Sequence, residues 1–376
     1  MSIFGEAAGV VVAIVVACGA IYNLLAIAGA WRFCRAKERT HFAPPVSILK
    51  PVRGRDARFY EAIRSHAVQQ YQEFELIFGT ADPGDAALAD VERLRVEFPN
   101  VPIRIVHTEV HTENDAPNGK VGTLEILARE ARYEVLLVND GDIQVEPDYL
   151  ERVIGMLADP RVGLVTCLYR GRGSSLASKA EALGIATEFA PSVLVARLLS
   201  AGGFALGSTM AFRVEDLRSI GGFAALREYL ADDYQLGARI AALGKYVALS
   251  DSVVETNLGA GSWKDVWKHQ VRWSRTIRVS RPAGYFGYLV TQATFWAIVA
   301  AGFGYWRIAL AALAVRLIAA LGAMSALGVR WTAGIFLVPL RDLFGLAVWA
   351  AGMVGREVEW RGIRFRLLPD GRIERL

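Results

Sequence analysis

Residues 7–31 read AAGVVVAIVVACGAIYNLLAIAGAW, an apolar run without one charged side chain. At about 1.5 Å of rise per residue, a helix of that length outreaches a hydrocarbon core about 30 Å thick. A cleaved secretion signal would instead open on basic residues and carry a core of about 7–15 apolar positions before a small-residue cleavage point. Here the start carries only Glu6 and the run is longer, so the segment reads as an uncleaved anchor. Arg32, Arg35, Lys37 and Arg39 come directly after it. The positive-inside bias then puts the amino terminus outside and residue 40 onward in the cytoplasm.

Three further candidate spans lie near the other end, roughly Tyr285–Trp306, Ile308–Gly328 and Thr332–Val354. Arg316 interrupts the second and Arg341-Asp342 the third. Charges at such depth face protein or water, or pair with each other. Three full crossings would carry residues 356–376 outside, yet that stretch is rich in Arg, which the positive-inside bias disfavours. One segment is then interfacial or re-entrant. The expected division is an anchor at 1–40, a cytoplasmic catalytic domain at 41–260, an interfacial amphipathic helix at 261–284, membrane helices at 285–355 and a basic tail at 356–376.

The hydrophobic fraction of 53% is high for a soluble chain and is concentrated in these terminal segments. Net charge is only +4, with the basic excess in juxtamembrane stretches, so the expected charged partner is an anionic lipid surface and not nucleic acid. Cys18, Cys34 and Cys167 lack pairing or metal spacing and read as structural.

Between about 44 and 260 the pattern alternates. Val46–Leu49, Phe74–Phe78, Val101–Val106 and Val135–Val138 have strand length and bulk, while Ala57–Gln70, Ala86–Glu97 and Leu124–Ala131 carry helical spacing. Strand and helix in turn predict an α/β domain with a mainly parallel sheet, whose ligands collect at the carboxyl ends of its strands. Asp140-Gly-Asp142 ends one such strand and Asp82 another. The pair is either a solvated turn or a seat for a hard divalent cation carried with a diphosphate.

Three other constellations have two readings each. Lys120, in PNGKVGTL, is a surface lysine or a phosphate-binding charge at a helix amino end. Asp232 and Asp233, in LADDYQLG, cap a helix or supply a general base. The stretch WKDVWKHQVRWSRTIRVSR, with Trp263, Trp267 and Trp273, lies on the membrane surface or brings Arg272 and Trp273 over a site opening at the bilayer.

The ordered set VSILKPVRG, FGTADPGD, PNGKVGTL, NDGDI, VGLVTCLYRG, PSVLVARLL, GSTMAFR, LADDYQLG, the Arg-Trp segment and VEWRG resembles the family 21 glycosyltransferases of the ceramide glucosyltransferase type. Within them, VGLVTCLYRG, PSVLVARLL and LADDYQLG resemble the bacterial hopanoid-pathway members. The resemblance implies a membrane-anchored GT-A fold in the bacterial inner membrane, its catalytic domain cytoplasmic. It implies transfer of a hexose or N-acetylhexosamine from a UDP-sugar to a membrane-lipid hydroxyl with inversion, assisted by magnesium or manganese.

Position by position, the family's first aspartate falls on Asp82, at the nucleotide, with Asp85 the other register. The second falls on Asp140, with Asp142 completing a metal-binding pair. The third, the base, falls on Asp233 beside Asp232, and Lys120 and Arg272 assist at the diphosphate. Arg272 and Trp273 match the end of the last motif, whose first position is here His269, with Gln270 one place out of register. Gly207-Ser208-Thr209-Met210 either lines the sugar pocket or is a tight turn. A processive polysaccharide synthase would share these acids but want more spans. A non-catalytic lipid-binding scaffold would not keep every acid.

Overall fold

The computed structural model describes residues 3–36, 40–108, 117–330 and 332–376, which leaves Lys37 and Arg39 outside the described residues. The chain divides into two compact units. The sheet unit comprises residues 37–172, 203–259 and 357–376, and the helical unit residues 1–36, 173–202 and 260–356.

Among the described residues eight strands build the main sheet: β1 (Val46–Pro51), β2 (Phe74–Thr80), β3 (Ile103–His107), β4 (Val135–Val138), β5 (Ile143–Gln144), β6 (Val162–Gly173), β7 (Met210–Arg213) and β8 (Tyr246–Gly259). Their spatial order is β3-β2-β1-β4-β7-β6-β8-β5. The first four run parallel, with Leu49 opposite both Ile77 and Val138. This is the core expected from the alternation of strand and helix. β7 then pairs antiparallel with β4 and β6, and β5 pairs antiparallel with β8. β1, β2 and β4 are buried at nearly every position, as in a parallel sheet with both faces covered, while the edge strand β3 is only partly buried. Leu49, Ile77, Leu136 and Val138 meet Leu124, Leu127, Leu236 and Ile240 from helices Gly119–Glu130 and Asp232–Ala242. Each such burial contributes about 1.5–3 kcal/mol.

Helix Gly119–Glu130 begins five residues before the apolar spacing at Leu124, because Asn118 caps it, accepting from the Lys120 and Val121 N–H groups at 3.1 and 3.3 Å. That cap sets Lys120 in the first turn.

The stretch expected as a basic tail folds as a second, antiparallel sheet: β9 (Glu357–Trp360), β10 (Ile363–Leu367) and β11 (Ile373–Arg375). It docks within the sheet unit. The Ile373 N–H donates to the Glu228 carbonyl at 2.8 Å, Tyr229 and Arg372 form a β-bridge, and the Arg361 guanidinium donates to the Arg53 carbonyl. Phe365 and Leu367 are buried, alternating with exposed Arg364 and Arg366. The arginines that made this segment look like a tail are the outward face of a strand.

In the helical unit the first helix runs Ile3–Arg35. Among the described residues, three helices are apolar and long enough to cross a membrane: Ala7–Arg35, Trp306–Ala326 and Ala333–Gly352. The expected span Tyr285–Trp306 is different. Pro282–Gly287, a 3₁₀ turn at Tyr288–Thr291 and a helix at Ala293–Gly302 divide it. Ten residues rise only about 15 Å, half a hydrocarbon core. Small residues let these helices approach closely, with Val12, Val16, Ala297, Ala300, Ala309 and Ala312 in one cluster. The charges that interrupt the apolar runs pair as expected. Arg316 donates to both Asp342 oxygens at 3.0 and 2.6 Å, and Thr294 donates to the same carboxylate at 2.5 Å.

Candidate active site

β4 leads into Asn139, a buried residue that fixes the chain at the strand's end. Its amide donates to the Tyr149 hydroxyl at 2.8 Å and the Ser208 carbonyl at 3.0 Å, while its oxygen meets His66 Nε2 at 3.1 Å. Burial holds the His66 imidazole well below its usual pKa, hence neutral. The turn Asp140-Gly141-Asp142 therefore leaves the strand from a fixed anchor rather than as a loose solvated loop.

Lys120 reaches that turn. Its Nζ lies 2.8 Å from Asp140 Oδ1 and 3.2 Å from Asp232 Oδ2, and its side chain is 15% exposed. It is not a surface lysine. Burial alone would lower its pKa, but Asp140 and Asp232 outweigh burial and hold it above the ordinary value. Burial raises the Asp232 carboxyl against the pull of Lys120.

Asp233 opens helix Asp232–Ala242 and accepts from the Gly207 N–H at 2.9 Å and the Tyr234 N–H at 2.7 Å. Burial, then the charge of Asp232, push its carboxyl up to about 6. A Cβ added at Gly207 would lie 3.2 Å from Asp140 Oδ2 and 3.4 Å from Asp233 Oδ2. The two carboxylates thus flank one backbone position, where a Cβ would crowd Asp140. Of the GSTM stretch, Gly207 alone serves the acids. The Ser208 hydroxyl donates to the Cys167 carbonyl at 3.1 Å, and Thr209 is fully buried.

Asp142 accepts from the Thr256 hydroxyl, and its carbonyl accepts from Asn257 at 3.2 Å. Burial and the neighbouring Asp140 push its carboxyl up to about 6. A buried lysine outside the sequence-based expectations faces this pair: Lys50, at the end of β1, donates to the Asp140 carbonyl at 3.3 Å. Burial pulls Lys50 down to about 7, opposed by Asp142 and Asp140. Its signal was available, since a lysine among VSIL and Pro at the end of a buried strand needs an anionic reason to be there.

Two carboxylates one residue apart, Asp140 and Asp142, offer hard oxygen donors and fit a divalent cation. Among the described residues no three His, Cys, Asp or Glu side chains form a closed metal shell. An open pair suits an ion that keeps waters and phosphate oxygens.

The other predicted residues belong to other elements of the chain. Asp82, exposed at the end of β2, accepts from the Gly84 N–H at 2.8 Å, and among the described residues no contact joins it to the acid cluster. Asp85 is spent on structure, accepting from the Gly54 and Ala87 N–H groups at 2.6 and 2.9 Å. Arg272 and Trp273 belong to helix Trp263–Ser280 of the helical unit, where the His269 and Trp273 rings lie 4.7 Å apart.

Comparisons with known proteins agree with this architecture. The chain is 29% identical over 211 residues to ceramide glucosyltransferase 1 of Caenorhabditis elegans, covering 55% of this chain and 44% of that protein. It is 27% identical over 232 residues to ceramide glucosyltransferase 3 of the same organism, covering 61% and 50%. The chain thus spans about half the length of these curated relatives. Among solved structures it resembles the mannosyltransferase PcManGT from Pyrobaculum calidifontis in complex with GDP-Man and Mn2+, with a TM-score of 0.53, 19% identity, and 91% and 97% of the two chains covered. That likeness shows a GT-A fold. The model of glycosyl transferase family 21 matches residues 11–373, and the chain belongs to that family.

Proposed function

We propose that this chain moves a hexose or N-acetylhexosamine from a UDP-sugar to a hydroxyl of a membrane lipid, ceramide-like or hopanoid in class, with inversion. The observation that carries the reading is the placement of Asp233 and Asp140 on either side of Gly207, with Asp233 ionisable near neutrality. In this reading Asp233 takes the proton of the lipid hydroxyl as its oxygen attacks the anomeric carbon. The bond from that carbon to the β-phosphate oxygen breaks, and UDP leaves with the electron pair. The N–H groups of Gly207 and Tyr234 hold the Asp233 oxygens in one orientation. Lys120 pins Asp140 and adds positive charge beside it. A magnesium or manganese ion held by Asp140 and Asp142 would stabilise the charge gathering on the diphosphate. Asp82 is the candidate for the nucleotide, and Arg272 and Trp273 for the diphosphate and the acceptor.

Sidedness rests on the docked β9–β11 sheet. Residues 357–376 share a unit with residues 53 and 228, so both stand on one side of a membrane. An even number of crossings must then separate residues 260 and 356. Trp306–Ala326 and Ala333–Gly352 supply two, and Ala293–Gly302 is too short to add a third. With the first helix as anchor, the arginines of residues 356–376 lie on the cytoplasmic side with the acid cluster, where the positive-inside bias wants them. The basic face of helix Trp263–Ser280 suits an anionic lipid surface.

The test is Asp233→Asn. General-base catalysis contributes about 10²–10⁴ in rate, so transfer should fall by that factor in assays with UDP-sugar and lipid acceptor. UDP affinity, measured by calorimetry, should stay within a few-fold of wild type. Retained turnover removes Asp233 as the base.

A further inference from the structure

The hairpin of β9 and β10 turns on two residues, Arg361 and Gly362, between the paired Trp360 and Ile363. Both have left-handed backbone, with φ of +49° and +79°. Two-residue turns of that hand are ordinarily made of Asn, Asp or Gly, because other side chains are strained there. Arginine is a poor first residue for such a turn. Its presence points to what its side chain reaches.

That side chain reaches the segment after β1, within the sheet unit, where the Arg361 guanidinium donates to the Arg53 carbonyl. The residues that follow Arg53 are tied in turn. The Gly54 N–H donates to Asp85 at 2.6 Å, and Arg55 donates to both Asp90 oxygens at 2.6 and 3.0 Å. The Phe59 ring and the Asp56 carboxylate lie against Gly141, the middle of the acid turn, 3.4 and 3.8 Å from where its Cβ would stand. Arg361 is also the cation that acts most strongly on the Asp56 carboxylate.

Strain gathers at the same place. Among the described residues three besides glycine have left-handed backbone, and two of them are Arg361 and Arg58, which ends this segment at the start of helix Phe59–Ala67. Such positions persist where surrounding contacts enforce them, and they cluster at ligand clamps and active sites. A cavity of about 360 Å³ runs along residues 55–61, a volume that takes a small ligand. Asp56 and Phe59 line it and also abut Gly141, so the cavity borders the Asp140-Gly141-Asp142 turn.

We propose that Arg361 is a positioning residue for the sugar donor. It holds residues 53–58 against the acid turn, so that the cavity is shaped for a nucleoside diphosphate before one arrives. The identity of that ligand rests on the proposed transfer reaction; the hold on the segment does not. The second sheet is thereby part of the donor site and not only a cover on the unit.

The experiment uses the full chain in non-ionic detergent and the variants Arg361→Asn and Arg361→Lys. Asparagine suits the left-handed turn and lacks the reach. The second sheet keeps its other attachments, Ile373 to Glu228 and Tyr229 to Arg372, so Arg361→Asn should melt no lower than wild type. Its Gly54 amide should nevertheless exchange with deuterium about three- to tenfold faster, and UDP titrated with manganese should bind more weakly by a similar factor. Lysine keeps a cation and a donor, so Arg361→Lys should stay near wild type in both readouts.

An arginine that merely fastens the sheet would give the reverse. Arg361→Asn would then lose melting temperature while Gly54 exchange and UDP affinity stayed unchanged, which overturns the proposal. Faster exchange without weaker UDP binding overturns it too. If wild type itself binds no UDP, the donor reading fails, and exchange at Gly54 alone decides whether Arg361 holds the segment.

Discussion

In the helical unit Arg316 faces Asp342 through two hydrogen bonds, one cation for one anion, with Thr294 completing the set. In the sheet unit Lys120 lies between Asp140 and Asp232 and Lys50 donates to the Asp140 carbonyl, with Asp233 next in the chain to Asp232 and Asp142 two residues from Asp140. The first arrangement is neutral and finished. The second holds four carboxylates against two lysines, and burial, then the neighbouring carboxylates, push two of them up to about 6. A low-dielectric span tolerates charge only in matched pairs. A transfer site gains from leaving acids poised near neutrality, at a cost in stability.

Breaking the matched pair should give the largest effect. Asp342→Ala strands a buried guanidinium, and the expected loss is about 3–5 kcal/mol, read as a fall in melting temperature in detergent. Arg316→Leu combined with Asp342→Leu should restore most of it. If the single change proves as harmless as the double, the contrast between the units fails.

A second test concerns the poised acid. A base must be ionised to work, so activity should fall tenfold per pH unit once the pH drops below about 6. The acidic limb of log(kcat/KM) against pH checks this, and a limb near the ordinary aspartate value of 3.8 would contradict it.

The smallest effect should be a gain. The folded-state value of Asp142 stands near 6 against 3.8 for an ordinary aspartate, so the folded protein binds the proton more tightly than the unfolded chain. Such a group costs stability fully above about pH 6, and the cost disappears as the pH falls below about 4. Asp142→Asn should therefore raise stability by about 1–2 kcal/mol at pH 8, with no gain at pH 3.5. Thermal melts at the two pH values compare them.

The sequence made the parallel core legible because each of its strands is a continuous apolar run between helical stretches. NDGD stood out for the same reason, as charge at the end of bulk. β6 to β8 escaped because their pairing is antiparallel and set by residues far apart, such as Leu164 opposite Phe212. Asp82, expected at the nucleotide, ends a strand that β1 separates from β4. Lys50 hid in a strand that otherwise read as core. The Glu181–His269 contact joins residues 88 apart, and nothing local to His269 announces it. The apparent span at residues 285–306 failed because hydropathy counts apolar residues and not unbroken helix.

Strands β9–β11 also impose an order on the making of the molecule. Ile373 hydrogen-bonds to Glu228, but the ribosome joins those residues only after the apolar hairpin between them has been synthesised. The acid cluster's unit can therefore complete its second sheet only after the intervening helices have been synthesised. A chain halted at residue 356 would own every proposed catalytic side chain and still lack the second sheet, docked on Glu228, Tyr229 and Arg53.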